Sequence, residues 1–429
     1  MGEPITRIKG VRDILPDETR LWQFVEQTVQ ATMSTYGYRE IRTPVFESTE
    51  LFVRGIGSET EIVGKEMYSF TDQGGRSLTL KPELTAPVIR AYLQNNLGRE
   101  APLSRLYYLD ALFRQERPQK GRLRQFHQFG VEAIGSPHPE QDVEVIAIAY
   151  DLCQLFAPQG LTVRLNSVGS ADVRPAYLQR LRDALEPHGA KLSELDRRRL
   201  QTNPLRLFDS KDPDTQALLD QHAPHIGDYL SGEDQEHFAA VQAGLMALNI
   251  PFEHDPKLVR GLDYYTRTTF EITASGLGAQ DALVGGGRYD GLVAQLGGRD
   301  TPAVGFAAGI ERLLLAAGDA LAQQVPSPSA DVYLVVLADE ARLTALTCAK
   351  ELRRAGATVI LETLRRSMKA QLREANRAGA RLAIIFGEAE LAQGSALVKN
   401  MATGAQEAVA LGKLAEHLTT IMHPEAEDS

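Results

Sequence analysis

Apolar positions along this 429-residue chain follow a helical period in some segments and a strand period in others. The helical period predicts helices over residues 16–36 and 140–157. Runs rich in β-branched and aromatic residues predict strands over residues 38–48, interrupted by a proline, and 162–168. A Gly-Gly pair predicts a β-hairpin over residues 66–82. The first part of the chain therefore alternates helices with short strands.

The pattern changes character beyond residue 169. Highly charged helical segments with few β-branched runs come first, and β-rich sequence then returns before another helix. The segment QQVPSPSA, with two prolines and two serines, predicts a linker. Three buried-type strands then alternate with two helices, which predicts a mixed α/β domain. The predicted divisions are a core segment (1–169), an inserted helical subdomain (170–252), a second core segment (253–324), the linker (325–330), the α/β domain (331–422) and a disordered tail (423–429).

Composition and charge narrow the class of protein. Hydrophobic residues make up 43% and charged residues 24%, as in soluble globular proteins. Cys153 and Cys348 lie far apart, which argues against a disulfide framework or a cysteine zinc site and fits a reducing cytoplasm. No secretory signal and no apolar run of about 18 residues is visible, so we expect a cytoplasmic protein without a membrane span. Because the net charge is −10, a polyanionic partner would need local basic patches.

The most informative segment is residues 105–132, where two apolar, aromatic-rich runs flank a basic loop. One anion, Glu116, accompanies five cations: Arg114, Arg117, Lys120, Arg122 and Arg124. Strand alternation places Arg114 and Glu116 on one face. It also groups four residues of the returning strand on one face: Phe126, Gln128, Gly130 and Glu132. Such a polar face suits a planar, anionic ligand that also carries an amine, whereas a solvated hairpin with a charged tip is the alternative.

Two further segments carry candidate binding residues. TLKPELTAP places Glu83 and Thr85 on one side of an extended segment, where a carboxylate and a hydroxyl can hold an ammonium group. In LVRGLDYYTRTTFE, Arg260 precedes a glycine at which the backbone can turn tightly, and Tyr264 and Tyr265 lead into a strand. A surface turn in the first segment and a structural ion pair of Arg260 in the second are the alternatives.

Glycine marks two more segments. GGGRYDGL (285–292) predicts a glycine-rich loop that allows close backbone approach and contains Tyr289, and it does not match the P-loop pattern. In AVGFAAGIERL, Gly305 and Gly309 let a strand and a helix approach closely. The guanidinium of Arg312 suits stacking on a planar ligand, although an isolated arginine there would be read as a solvated helix residue.

A basic stripe lies in the last domain. Arg366, Lys369, Arg373 and Arg377 are spaced by three, four and four residues, which places them on one helical face with Glu374 off the stripe. In an acidic protein such a stripe can bind a phosphate backbone. A solvated helix face is an equally good explanation of the stripe alone.

These segments resemble, in order, the motifs of one family. The form RxERPQKGRxRQFHQ resembles motif 2 of class II aminoacyl-tRNA synthetases as found in histidyl-tRNA synthetases. The strand at Pro44 resembles motif 1, and AVGFAAGIERL resembles motif 3. Residues 258–271 and 285–292 resemble the two histidine signature peptides, and residues 331–422 resemble the anticodon-binding domain of class IIa synthetases. The resemblance covers about residues 5–420.

The resemblance implies an α+β class II synthetase catalytic core, an antiparallel sheet with helices, plus a C-terminal mixed α/β anticodon-binding domain. It implies an aminoacyl-tRNA synthetase that activates L-histidine with ATP to histidyl-adenylate and transfers it to the 3′ end of tRNA(His). Mg²⁺ would be bound with the ATP phosphates rather than at a protein-only metal site. A homodimer formed through the first helix and the Pro44 strand is expected.

The resemblance also assigns roles to residues. Arg114 and Arg260 would flank the α-phosphate as catalytic cations. The histidine-binding residues would be Glu83, Leu84, Thr85, Gln128, Glu132, Arg260, Tyr264, Tyr265 and Tyr289. The ATP-binding residues would be Arg114, Glu116, Arg122, Phe126 and Arg312. The tRNA-binding residues would be Arg117 and Gln119 at the acceptor end, and Arg366, Lys369, Arg373 and Arg377 at the anticodon arm.

The chain departs from the family pattern in the RPEGTA motif, where Lys81 replaces arginine and Leu84 replaces glycine. A second hypothesis is therefore a non-catalytic, synthetase-like regulatory subunit of histidine biosynthesis. Such paralogues typically lack the C-terminal domain and have eroded signature peptides. This chain keeps the C-terminal unit and the arginines Arg114, Arg260 and Arg312, which favours the enzyme.

Overall fold

The computed structural model describes residues 4–57, 60–119, 121–157, 159–275, 282–327, 329–414 and 416–418. The chain forms two compact units, Met1–Val325 and Pro326–Ser429, and the boundary between them in sequence falls within the predicted linker. The further divisions predicted within the first unit stay predictions. The tail predicted to be disordered and Lys120 of the basic loop lie outside the described residues.

The first unit contains eleven strands and eleven α-helices among the described residues. Its strands are β1 (Arg39–Glu40), β2 (Phe46–Ser48), β3 (Ser69–Thr71), β4 (Ser77–Leu80), β5 (Ser104–Phe113), β6 (Gln125–Ile134), β7 (Leu161–Ser167), β8 (Phe252–His254), β9 (Thr266–Ala274), β10 (Ala282–Arg288) and β11 (Ala303–Gly309). Its α-helices are α1 (Pro16–Thr35), α2 (Thr49–Ile56), α3 (Thr85–Gln94), α4 (Leu97–Glu100), α5 (Pro139–Phe156), α6 (Arg174–Leu185), α7 (Glu194–Thr202), α8 (Pro213–His222), α9 (Gly232–Ala247), α10 (Leu292–Gln295) and α11 (Ile310–Gln324). Shorter turns are a π-helix at Ile62–Glu66 and 3₁₀ helices at Glu186–Lys191, Pro204–Leu207 and Ile226–Tyr229.

An eight-stranded sheet organises this unit, with the strand order β1-β5-β6-β11-β10-β9-β7-β8. Neighbouring strands run antiparallel except at the two edges of the sheet. There, β1 pairs in parallel with β5, and β8 pairs in parallel with β7. The predicted hairpin around the Gly-Gly pair is present as β3 and β4, and β2 joins it in a separate three-stranded sheet. The antiparallel core with helices expected of the fold class is therefore confirmed.

The two faces of the large sheet carry different sets of side chains, because side chains alternate between the faces along each strand. Phe129 and Val131 of β6 are fully buried in the main hydrophobic core. That core also contains the apolar side of α1, buried through Trp22, Val25 and Val29, and most of α5. The residues that alternate with Phe129 and Val131 lie on the opposite face. One sheet face is thus covered by helices, and the other is free to form a site.

Helices α6–α9 occupy the segment in which charged helical sequence predicted helices. Leu181 and Leu207 are fully buried in a small hydrophobic core of this segment. Helix α9 differs, because Val241 and Leu245 pack in the main core beside α5 instead. The separate helical core therefore ends at about Ile226.

The second unit contains β12 (Val332–Val336), α12 (Ala341–Arg354), β13 (Val359–Leu361), α13 (Met368–Arg377), β14 (Leu382–Phe386), α14 (Glu388–Ala392), β15 (Ser395–Asn400) and β16 (Gln406–Ala410). The strands form one sheet in the order β13-β12-β14-β15-β16. The three predicted strands form its parallel part, and the antiparallel pair β15 and β16 was not predicted. Within the described part of the chain, no helix is long and apolar enough to cross a membrane.

Candidate active site

A cavity of about 1220 Å³ lies on the free face of the large sheet. Strands β6 and β9–β11, the loop of the β5–β6 hairpin, the start of α3 and the helical segment all contribute to its walls. It brings together most of the predicted site residues, which are Glu83, Leu84, Thr85, Arg114, Glu116, Arg122, Phe126, Gln128, Arg260, Tyr264, Tyr265, Tyr289 and Arg312. Residues from five segments separated in sequence therefore share one space.

Glu132 lies beneath the cavity wall and is only 1% exposed. Its carboxylate accepts hydrogen bonds from the hydroxyls of Thr85 at 2.8 Å, Tyr108 at 3.2 Å and Tyr289. Burial raises the pKa of Glu132 to about 8, although these donors act in the opposite direction. A Cβ on Gly305, its neighbour in β11, would lie 2.0 Å from the carboxylate. Gly305 therefore makes room for Glu132, which differs from the predicted strand-to-helix role.

Glu83 precedes a helix rather than lying with Thr85 on an extended segment, because α3 begins at Thr85. Its carboxylate accepts the backbone N–H groups of Thr85 at 2.8 Å and Ala86 at 3.0 Å. These N–H groups have no partner within the helix, so the carboxylate caps α3 from a buried position. Burial still raises the pKa of Glu83 to about 7. A helix that begins at Thr85 was not predicted from the sequence.

The two departures from the family pattern fit the structure. Leu84 has φ −116° and ψ −19°, a conformation open to any residue, so this position does not require glycine. Its side chain is buried beside the cavity. Lys81 is fully buried outside the cavity, where its ammonium pairs with Asp110 and donates to the Thr43 carbonyl at 3.3 Å. Neither substitution removes a charge from the cavity.

The cavity arginines are held by acceptors from different elements. The Arg114 Nε donates to the Pro82 carbonyl at 2.8 Å, and its guanidinium carbon lies 5.2 Å from the centre of the Phe126 ring. Glu116 accepts from Arg122 at 3.1 Å and lies 3.7 Å from an Arg114 nitrogen. In two further pairs, Arg260 lies 3.3 Å from Glu271, and Arg312 donates to the Ala282 carbonyl at 2.8 Å.

The three consecutive glycines of GGGRYDGL, at 285–287, lie in strand β10, so the prediction of a loop was wrong for them. A run of glycines has little strand propensity, but backbone pairing with β9 and β11 on both sides overrides it. A Cβ on Gly285 would lie 1.7 Å from the Arg260 guanidinium. Gly285 therefore leaves the space in which Arg260 lies against the sheet.

Comparisons with known proteins agree with this site. The family model described as histidyl-tRNA synthetase matches residues 10–313, and the anticodon binding domain model matches residues 331–421. The chain belongs to the histidyl-tRNA synthetase family. The two matches correspond to the two compact units of the fold.

Members of the histidyl-tRNA synthetase family resemble the chain over nearly its whole length. A histidine–tRNA ligase of a Synechococcus species is 47% identical over 418 residues, which cover 97% of this chain and 99% of the relative. That of Halothermothrix orenii is 45% identical, with coverages of 96% and 99%. The crystal structure of apo histidyl-tRNA synthetase from S. aureus superposes with a TM-score of 0.81 at 36% identity, covering 97% of this chain and 100% of that chain.

The residues predicted to contact tRNA lie outside the cavity lining. Arg117 and Gln119 are exposed in the loop of the β5–β6 hairpin. In the second unit, Lys369 and Arg373 are exposed on α13. Glu374 was predicted to lie off the basic stripe, but it pairs with two members of the stripe, Arg366 and Arg377.

The stripe is not one helical face, since α13 begins at Met368, after Arg366. Arg366 pairs with Glu362 at 2.6 Å and Glu374 at 3.4 Å, and Arg377 donates to Glu374 at 3.0 Å. Helical spacing groups residues on one face only within one continuous helix, and Arg366 lies before that helix.

Sequence reasoning missed three residues of this histidyl-tRNA synthetase site. Tyr108 donates to Glu132 from the neighbouring strand β5, and Glu271 pairs with Arg260. Glu311 accepts the backbone N–H of His127 at 3.0 Å and lies 2.9 Å from its Nδ1. The alternation of the quoted strands could have placed Glu271 on the cavity face, but the other two contacts depend on strand and helix pairing. Among the described residues, no cluster of three or more His, Cys, Asp or Glu side chains is arranged to hold a metal.

Proposed function

We propose that this chain activates L-histidine with ATP to form histidyl-adenylate and then transfers the histidyl group to the 3′ end of tRNA(His). One observation supports this function above all others. A single cavity joins a buried group of carboxylates and hydroxyls, suited to an amino acid, to a group of arginines suited to a triphosphate. The overall activity follows from the family to which the chain belongs.

In the first step, the histidine carboxylate attacks the α-phosphate of ATP and pyrophosphate leaves. Negative charge grows on the α-phosphate oxygens as the new bond forms. Arg114, which follows β5, and Arg260, in the segment before β9, both line the cavity and would flank this phosphate. Because both guanidinium groups are held by protein acceptors beforehand, they stabilise the developing charge with little reorganisation.

Histidine would be recognised by its two polar ends. Glu83, Thr85 and Gln128 would hold the ammonium group, and Leu84 would pack beside it. Glu132 would accept from one imidazole nitrogen and Tyr265 would pair the other, with Tyr264 and Tyr289 enclosing the ring. An amino acid without ring nitrogens would leave these buried groups unpaired, which can cost ~10⁴-fold in specificity.

ATP would bind between the hairpin and the start of α11. Phe126 would pack on one face of adenine and Arg312 on the other, while Glu116 orients Arg122 toward the outer phosphates. Mg²⁺ bound with the triphosphate would neutralise its charge. Glu116 and Glu271 are two of the carboxylates that line the cavity, and both are already paired with arginines. Phosphate and water oxygens would therefore replace them as ligands of the ion.

tRNA would contact both units of the chain. Arg117 and Gln119, in the exposed hairpin loop, would read the extra 5′ guanosine of tRNA(His). Lys369 and Arg373 would contact the anticodon arm, because their charges point to solvent and have no partner within the described residues. Arg366 and Arg377 would instead support this surface through their carboxylate partners.

Histidine-dependent exchange of pyrophosphate into ATP tests the adenylate step, and aminoacylation of tRNA(His) tests the transfer. We expect both from the purified chain. The Arg117→Ala/Gln119→Ala variant should keep the exchange and lose aminoacylation. A chain that shows no exchange with any amino acid would instead be a regulatory homologue, and exchange with another amino acid would refute the histidine pocket.

A further inference from the structure

The segment from Leu258 to Tyr265 carries Arg260 but has no regular secondary structure. Its carbonyl groups therefore need partners from elsewhere in the fold. Gly261 accepts a hydrogen bond from Arg206 at 2.7 Å, and Asp263 accepts one from Arg174 at 3.3 Å. The Tyr265 carbonyl also accepts from Arg174. Two arginines of the helical segment thus bind three carbonyls of the segment that holds a catalytic cation.

The side chain of Asp263 adds a charged anchor at the same place. Its Oδ1 accepts from Arg206 at 2.7 Å and from the amide of Asn203 at 2.8 Å. Its other oxygen faces Gly57 at the end of α2, where a Cβ would lie 2.6 Å away. The backbone N–H of Asp263 donates to the Ile56 carbonyl at 3.3 Å. Asp263 is thereby fixed between α2 and the helical segment.

All three donors, Arg174, Asn203 and Arg206, belong to the helical segment. Arg174 is the first residue of α6, Asn203 follows α7, and Arg206 lies in the 3₁₀ turn Pro204–Leu207. The Arg206 side chain is 13% exposed, so its charge-assisted hydrogen bonds are largely shielded from water. Arg260 stands three residues before Asp263 and rests against Gly285 of β10.

We propose that the helical segment positions Arg260 for catalysis, by holding the segment 258–265 through Arg206, Asn203 and Arg174. Arg206 lines the cavity and Asp263 does not, and both are positioning residues that act through Arg260. A misplacement of about 1 Å at a reacting group can cost about 100-fold in rate. Loss of these contacts should therefore lower the rate of adenylate formation while the protein remains folded. This inference rests on the proposed function for its activity readout only.

The test compares Arg206→Ala with Arg182→Ala. Arg182 is a suitable control, because its Nε donates to the Leu200 carbonyl within the helical segment and does not reach residues 258–265. We expect Arg206→Ala to lower kcat for pyrophosphate exchange about 10- to 100-fold. Arg182→Ala should keep kcat within about twofold. Asp263→Asn, which keeps the shape and removes the charge, should lie between them and serves if Arg206→Ala does not fold.

Two further measurements separate positioning from a general structural role. In the Arg260→Ala background, Arg206→Ala should cause little additional loss of kcat, because its effect passes through the missing residue. Amide hydrogen exchange should become faster across residues 258–265 in Arg206→Ala and not in Arg182→Ala. Equal kcat and equal amide exchange in the two single variants would overturn the proposal, as would a full additive loss in the double variant. Amide exchange does not depend on activity, so an inactive parent chain would refute the proposed function and leave this test valid.

Discussion

At the scale of single residues, Arg260 should have the largest effect on chemistry. We expect Arg260→Ala to lower kcat for pyrophosphate exchange about 100- to 1000-fold, because a preorganised cation beside the developing charge is lost. Its side chain is 22% exposed and pairs with Glu271 at the cavity, so the fold should survive. Arg299→Ala, an exposed arginine outside the cavity lining, is the matched control. Near-normal exchange by the Arg260 variant, with circular dichroism unchanged, would contradict this role.

The buried carboxylates Glu132 and Glu83 should make the stability of the ligand-free protein depend on pH. Their pKa values are about 8 and about 7 in the folded chain, against an ordinary value of 4.5. Between these limits the folded state binds more protons than the unfolded state. The free energy of unfolding should therefore fall as the pH rises, by up to about 1.4 kcal/mol per pH unit for each proton.

Glu132→Gln tests this dependence. It removes the titration of Glu132, whose pKa is raised by burial and, to a lesser extent, by the charge of Glu83. We expect the thermal midpoint of the variant to change less than that of the parent chain between about pH 5 and pH 8. Identical pH profiles would mean that Glu132 is already ionised in the folded protein throughout this range.

At the scale of elements, neighbouring glycines of β10 should respond differently to alanine. A Cβ on Gly286 would lie 2.5 Å from the Gly305 carbonyl oxygen and 2.6 Å from the Phe270 ring, both on paired strands that cannot move easily. Gly286→Ala should therefore cost about 1–3 kcal/mol of unfolding free energy. The three atoms nearest to a Cβ on Gly285 all belong to the flexible end of Arg260.

Gly285→Ala should consequently fold and lose activity, because the guanidinium of Arg260 must move away. Thermal unfolding and pyrophosphate exchange, measured on both variants, check the contrast. An equal thermal midpoint for Gly285→Ala and Gly286→Ala would contradict this contrast. So would pyrophosphate exchange by Gly285→Ala at the parent rate, because Gly285 would then not be needed to make room for Arg260.

At the scale of the whole molecule, the two units should divide the work of adenylation and RNA binding. The variant Lys369→Ala/Arg373→Ala should bind tRNA(His) more weakly, and the slope of log K against log salt should shrink by about 1.5, since each phosphate contact contributes about 0.7–0.9. Pyrophosphate exchange without tRNA should not change. Loss of both activities, or of neither, would contradict the division.

Arg366→Ala is the informative comparison within the same unit. Arg366 pairs with Glu362, whose side chain is only 1% exposed. The hydrogen bond from Arg366 lowers the pKa of Glu362 to about 2. Removing Arg366 should therefore destabilise the second unit, whereas removing Lys369 and Arg373 should not. Thermal unfolding of the two variants distinguishes an RNA contact from a structural support.

A homodimer is also expected at this scale. The apolar side of α1 packs inside the chain itself, which leaves the surface after Pro44 for a second copy. There Phe46 and Phe70 are 50% and 46% exposed and meet edge to face at 6.3 Å. Sedimentation should give twice the 47.1 kDa mass of the chain. The variant Phe46→Asp/Phe70→Asp should sediment as a monomer and Leu343→Asp, an exposed apolar position of the second unit, should not. A monomeric parent chain would refute the dimer.

The sequence by itself determined those features that depend on neighbours along the chain. Helices α1 and α5 and the long hairpin of β5 and β6 lie within a few residues of their predicted bounds, because their apolar periods are long and regular. The alternation of β6 correctly separated Phe129 and Val131 from Phe126 and Gln128. Family motifs then named the cavity residues before any contact among them was known.

Only the tertiary structure decided features that depend on residues distant in sequence. The glycines of β10 became a strand because two neighbours pair with them, and Gly305 is required because Glu132 crosses over it. Arg366 does not belong to an exposed basic stripe, because it pairs at 2.6 Å with the buried carboxylate of Glu362. The helical segment reaches the segment of Arg260 through side chains that lie 55 to 91 residues away in sequence. Periodicity describes which face a residue occupies, whereas packing against other elements decides what that face meets.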